Sequence, residues 1–182
     1  SDVYKRQAIP AGFAAGLFGI GGGLVTVPIL FYIFSFSGIE TAYVMHLAVG
    51  TSFGIIIPTS TVSVLTHHQH KAVDFSIVKG FGFFVAIGVI LGTIFAASLE
   101  TKPLILFFTI IVYVLAFYLL FLKEKETNIE IKIGLFSKAI SGIVSGFISA
   151  PMGIGGAVMN VPILKFFGYP INKAIGSAAA IG

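Results

Sequence analysis

A succession of long apolar runs dominates this sequence and limits what it can fold into. Five such runs lie at 8–36, 43–65, 75–99, 103–122 and 135–167, and a sixth opens at 171–182. About 20 apolar residues in a helix cross the hydrocarbon core of a bilayer. Only 10% of the 182 residues are charged, against about 25% in a soluble domain. The chain is therefore predicted to be an all-α integral membrane protein, a polytopic helix bundle in a lipid bilayer.

The first and fifth runs are longer than a single upright span requires. Each has roughly 30 residues, and at 1.5 Å per residue such a helix exceeds a ~30 Å core by about half. Each also has a glycine cluster at its middle, GIGGG at 19–23 and PMGIGGA at 151–157. Within a helix, Gly costs about 1 kcal/mol and Pro about 3 kcal/mol relative to Ala. We predict that both helices are interrupted at these clusters.

The two interrupted runs are copies of each other. Ten of the nineteen positions in 12–30 are identical in 146–164, and AVGTS at 48–52 is echoed by AIGSA at 174–178. We interpret 8–134 as a first repeat with about four transmembrane segments and 135–182 as the truncated start of a second. Residues 1–7 (SDVYKRQ) are polar and unlike the apolar run that begins at residue 8, so we expect a non-native or unstructured remnant at the start of a fragment of a longer protein.

The distribution of lysines predicts an orientation. If every run crosses once, one side of the membrane holds Lys71, Lys79, Lys123, Lys125, Lys132 and Lys138, and the other holds Lys102, Lys165 and Lys173. The richer side is expected to be cytoplasmic. A re-entrant first segment would change this parity and would make the two repeats inverted rather than parallel, and the sequence leaves both arrangements open.

The glycine clusters are the strongest candidates for a binding site. A broken helix exposes backbone N–H groups at the start of its second half, where the helix dipole is positive, and an anion fits there. Thr26 and Asn160 occupy equivalent positions one turn further along, and His46 precedes AVGTS. The candidate substrate-binding residues are Gly19, Gly21, Gly22, Gly23, Thr26, Pro28, His46, Thr51, Ser52, Gly153, Gly155, Gly156, Asn160 and Pro162.

The alternative is that glycines serve helix packing only. Glycines four residues apart allow close helix approach in membranes. This spacing occurs at Gly12/Gly16, Gly50/Gly54, Gly88/Gly92 and Gly142/Gly146. We assign those four pairs to packing and the duplicated clusters to the site.

Other chemistry is weakly supported. The acidic residues lie at run edges or in the joints between runs, which favours an anion over a cation as substrate. His67, His68 and His70 lack Cys, Asp or Glu at ligand spacing, so we expect a wet interfacial loop and no metal or cofactor. Thr51 and Ser52 follow His46 by five and six residues, off its helical face, so we expect no enzyme. The lysines lie between the runs or near their ends, which argues against nucleic acid, and a homo-oligomer stays open.

These motifs resemble those of the TauE/SafE family of sulfite exporters and anion permeases. The resemblance rests on GLFGIGGGLVTVPIL at 16–30, HLAVGTS at 46–52, HHQHKAVDF at 67–75 and GFISAPMGIGGAVMNVPIL at 146–164. It implies a multi-pass permease of the bacterial-type inner membrane with about seven or eight spans. By resemblance the substrate is sulfite, sulfoacetate or a related organic anion, often moved outward. The alternative is a non-transporting membrane scaffold.

Overall fold

A computed structural model of the chain describes residues 23–121 and 134–182, and seven helices lie within these ranges. They are α1 (Gly23–Phe36), α2 (Val44–Gln69), α3 (Phe75–Ser98), α4 (Thr101–Phe121), α5 (Leu135–Met152), α6 (Ala157–Phe166) and α7 (Ile171–Ile181). By length and composition, four of them (α2, α3, α4 and α5) are able to cross a membrane. The all-helical fold class predicted from the apolar runs is confirmed.

The boundaries of α2, α3 and α4 follow the apolar runs closely. Asp74 caps the start of α3, its carboxylate accepting from the N–H of Ser76 at 3.0 Å. The main difference lies at the end of α2, which continues to Gln69. His67 and His68 are therefore in the last helical turn rather than in a loop, because polar residues at a helix end need not leave the helix.

Glycines bring α3 and α5 into close parallel contact. A Cβ at Gly88 would collide with the backbone of Ile143, and one at Gly146 would collide with the backbone of Val85. Further along, Gly92 lies against Phe147 and Ala150. Both helices thus start at one end of the bundle, which we call the His67 end, and run towards the other, the Thr101 end. The packing role predicted for Gly88/Gly92 and Gly142/Gly146 is confirmed.

The fifth run is broken at the predicted place. Helix α5 ends at Met152, Gly153 adopts a left-handed conformation (φ 61°), and α6 begins at Ala157. A left-handed residue at a helix C-terminus suits glycine, which has no Cβ to clash. We call residues 153–156 the break. The corresponding break at 19–23 lies outside the described residues, apart from Gly23.

After the break the chain turns back instead of crossing. Leu164 and Phe167 pack against Ile77 and Phe81 near the start of α3, so α6 returns to the His67 end. Helix α7 starts there too, since Lys173 reaches Asp74 at 3.5 Å.

The predicted placement of Lys165 and Lys173 opposite Lys71 is consequently wrong. The run is long enough to cross once, but its second half is used to return to the end from which it came. Of the lysines that the structure describes, Lys71, Lys79, Lys138, Lys165 and Lys173 lie towards the His67 end, and Lys102 lies at the opposite end.

Helix α1 runs in the opposite direction to its copy. Gly23 lies against Gly153 and Ile154 of the break. From there α1 leads to the turns before α2, where the carbonyl of Ala42 accepts a hydrogen bond from the hydroxyl of Thr101. Helix α1 therefore ends at the Thr101 end, whereas α6, its counterpart in the second copy, ends at the His67 end. The two copies are inverted with respect to each other over the described helices.

One predicted packing pair is not seen. No described atom lies within 4 Å of a Cβ placed at Gly50 or Gly54. Gly12 and Gly16, the remaining predicted pair, lie outside the described residues, and packing at Gly50/Gly54 stays a prediction.

Candidate functional site

The break presents a row of unpaired backbone donors. Within the described ranges, no hydrogen bond is made by the N–H groups of residues 155–159, and the first bond of α6 runs from the N–H of Asn160 to the carbonyl of Gly156 at 2.8 Å. The residues of the break are buried. Such groups carry the positive end of the helix dipole and attract anions. We call residues 155–159 the N–H cradle.

Asn160 places a second kind of donor beside the cradle. Its side chain is fully buried (0% exposed), and its Oδ1 accepts a hydrogen bond from the Ser145 hydroxyl at 2.6 Å. The amide nitrogen Nδ2 has no partner among the described atoms. A Cβ placed at Gly156 would come within 2.6 Å of this nitrogen. Gly156 therefore leaves room for an unsatisfied amide donor next to the cradle, where burial without a partner is unfavourable.

Two serines of α5 belong to the same cluster and were not predicted from the sequence. Ser145 and Ser149 are four residues apart, hence on one helical face, and both are buried. The Ser149 hydroxyl has no described partner, while its carbonyl accepts from the N–H of Ile154 at 3.3 Å. The spacing of Ser141, Ser145 and Ser149 along one face was the available signal, although small residues at that spacing also suit plain packing.

The first copy of the motif touches the break of the second. A Cβ at Gly23 would collide with the carbonyl oxygen of Gly153. That same oxygen accepts a hydrogen bond from the buried Ser52 hydroxyl at 2.8 Å. Two predicted site residues thus meet a third, but the hydroxyl of Ser52 is used to hold the backbone. In the second copy Ala178 occupies the position equivalent to Ser52 and offers no hydroxyl.

The remaining predicted residues are more scattered. Thr26 is half-buried on α1, Pro28 and Pro162 lie inside α1 and α6, and the neighbour of Ser52, Thr51, is exposed. Gly19, Gly21 and Gly22 lie outside the described residues. The structure thus gathers Gly23, Ser52, Gly153, Gly155, Gly156 and Asn160 around the break.

His46 lies near the Thr101 end, against the last part of α3. Its Nε2 is 3.2 Å from the carbonyl oxygen of Ala96, and because a carbonyl can only accept, Nε2 carries the hydrogen. Its Nδ1 is buried without a described partner. No described contact joins His46 to Asn160.

An open groove of about 300 Å³ lies between α2 and the end of α7. It is lined by Ser60, Thr61, Val64 and Leu65 of α2 and by Ala179, Ala180 and Gly182 at the end of α7. Gly182 also contacts Gly156, since a Cβ there would lie 2.5 Å from the Gly156 nitrogen. Gly182 therefore lies between this groove and the break.

The histidines at the end of α2 form no metal site with other side chains that the structure describes. Across 23–121 and 134–182, no three His, Cys, Asp or Glu side chains come together closely enough to hold an ion. The ring of His68 instead packs edge-on against Phe75, with 5.4 Å between ring centroids.

Apolar helices of membrane length, together with a helix broken at a glycine cluster, define a multi-pass helical membrane protein. The comparison with known families is specific. The family model described as "Sulfite exporter TauE/SafE" matches residues 8–182, and the chain belongs to this family.

Curated relatives carry matching descriptions. A "Probable membrane transporter protein" of Haemophilus influenzae is 34% identical over 172 residues, which is 94% of this chain and 65% of that protein. One of Methanocaldococcus jannaschii, with the same description, is 28% identical over 173 residues, 93% of this chain and 63% of that protein. The chain spans just under two thirds of the length of these two relatives. No solved structure matches it.

Proposed function

We propose that this protein is a membrane permease for small oxyanions, bound where the two repeats meet. Sulfur-containing anions such as sulfite, sulfoacetate and related organic anions are the favoured class. The family description supports sulfur chemistry, and the printed names of the relatives support transport.

The observation that carries this proposal is the buried, unpartnered Nδ2 of Asn160 beside the N–H cradle. A protein stabilised only by packing gains nothing from leaving an amide donor unsatisfied, because each such group costs about 1–3 kcal/mol. An oxyanion accepts hydrogen bonds from the amide and from the cradle at once. The scaffold alternative accounts for the glycines between α3 and α5 but gives no reason for these donors.

We propose further that the protein is not an enzyme. The residues nearest to a nucleophile–base arrangement are His46 and Ser52, and both are bonded to backbone carbonyls of other helices. A serine nucleophile needs its hydroxyl bonded to a base. The neutral donors around the break suit binding and release.

Anion flux tests the proposal. The full-length protein in liposomes should move sulfite, sulfate, thiosulfate or a sulfonate faster than empty liposomes do. Asn160→Leu should raise the apparent KM by about tenfold or more, because hydrogen bonds to charged groups contribute about 1.5–3 kcal/mol. The matched control is Asn172→Leu, an exposed amide on α7, and its KM should be unchanged.

Two results would contradict the proposal in different ways. Absence of flux for all of these anions would favour the scaffold. Flux with an unchanged KM in Asn160→Leu would move the binding site away from the break.

A further inference from the structure

The Asn160 amide has two ends of opposite character. Oδ1 accepts hydrogen bonds and Nδ2 donates them, and a half-turn of the amide exchanges the two. In the structure Oδ1 faces Ser145 and Nδ2 lies beside Gly156. The orientation of this one group decides whether a donor or an acceptor borders the N–H cradle.

The Ser145 hydroxyl bonds this amide instead of a carbonyl of its own helix. Serines and threonines in helices commonly donate to the carbonyl four residues earlier. Ser141, one turn before Ser145, does so, donating to the carbonyl of Ser137 at 2.6 Å. Ser145 instead donates to Oδ1 of Asn160, and both side chains are fully buried.

We propose that Ser145 is a positioning residue that gives the site its preference for anions. This inference rests on the proposed function. By holding Oδ1, the Ser145 hydroxyl directs Nδ2 towards the cradle, so that side-chain amide and backbone N–H groups all donate into one space. Without it the amide turns freely and offers Oδ1, whose partial negative charge repels an anion but accepts from an uncharged ligand with an N–H group.

Two ligands of nearly the same shape distinguish an amide with Nδ2 towards the cradle from one with Oδ1 towards the cradle. Methanesulfonate is an anion whose oxygens only accept, whereas in methanesulfonamide one oxygen is replaced by an uncharged NH₂ group that donates. Ser149 is present in the unmodified protein and in every variant, so its contribution cancels when their ratios are compared. The ratio of the two affinities therefore reports the orientation of the amide.

The experiment is calorimetric titration of the purified full-length protein with each ligand. We expect the unmodified protein to prefer methanesulfonate, and Ser145→Ala to reduce that preference by about tenfold, the effect of one hydrogen bond to a charged group. Asn160→Leu should reduce it as well, and adding Ser145→Ala to Asn160→Leu should change nothing more. Ser141→Ala is the matched control and should keep the original ratio.

A second variant guards against misfolding, and two outcomes would contradict the inference. Should Ser145→Ala fold poorly, Ser145→Cys keeps the volume with only a weak donor, and the same loss of preference is expected. A ratio unchanged in the folded Ser145 variants, or an equal further loss in the Asn160→Leu background, would overturn this inference and leave the proposed function intact. Failure of the unmodified protein to bind either methanesulfonate or inorganic sulfate would overturn both.

Discussion

The α3–α5 interface and the break between α5 and α6 both depend on glycine, but the atoms that the glycines admit differ. At Gly88 and Gly146 the space of the missing side chain is filled by the backbone of the facing helix. At Gly156 the nearest atom is Nδ2 of Asn160, and this nitrogen has no hydrogen-bond partner among the described residues. Glycine brings two helices together in the first region, and in the second it leaves room for a buried amide nitrogen that has no partner.

Under the proposed function, this difference separates packing glycines from binding glycines without reference to sequence motifs. At a packing glycine, contact with the neighbouring helix fills the space and leaves no polar group without a partner. A binding-site glycine leaves polar groups unsatisfied, which is unfavourable until a ligand arrives. The same substitution at the two kinds of position should therefore have different consequences for stability and for affinity.

The largest effect is expected for Gly88→Ala. The new methyl group would have to occupy the position of the Ile143 backbone, which cannot move without shifting α5. Overpacking of this kind costs about 3 kcal/mol. Thermal unfolding of the full-length protein in detergent should detect the loss. Gly80→Ala, on the same helix with no described atom within 4 Å, should melt like the unmodified protein, and equal melting of Gly80→Ala and Gly88→Ala would refute the packing role.

Gly156→Ala should affect binding more than stability. The methyl group meets the end of the Asn160 side chain, which can rotate, so the fold survives while Nδ2 is displaced. We expect about a tenfold weaker affinity for the transported anion, measured as the KM of flux, and a melting temperature near that of the unmodified protein. If Gly156→Ala instead melts as early as Gly88→Ala with an unchanged KM, the contrast between the two regions does not exist.

Much of the fold was predictable because bilayer thickness fixes helix length. The runs 75–99 and 103–122 match α3 and α4, and the cost of Gly and Pro in a helix located the break in the second copy. The return of α6 was not predictable, because a run of that length is equally compatible with crossing. Only tertiary contacts such as Leu164 against Ile77 reveal it.

The sequence predicted some of the residues that the structure gathers around the break and missed others. Asn160 was a candidate because it follows the second glycine cluster by one turn, and the structure buries it beside Gly156. Ser145 and Ser149 were missed because a serine in a helix usually satisfies itself on its own backbone. Their role depends on which face of α5 meets α6, which no local pattern encodes.

The smallest effect is expected where the two copies touch, at Ser52. Its hydroxyl holds the Gly153 carbonyl at 2.8 Å, and Ser52→Ala leaves that buried oxygen short of a partner, a loss of about 1 kcal/mol. Thermal melting should fall slightly, while Ser60→Ala, whose hydroxyl bonds its own helix at Ile57, should not change it. Gly23 still packs against the same carbonyl, so the backbone of the break should keep its conformation. The KM should therefore change less than in Gly156→Ala. A larger rise in KM for Ser52→Ala than for Gly156→Ala would mean that the contact between the copies, rather than the amide beside Gly156, sets the geometry of the cradle.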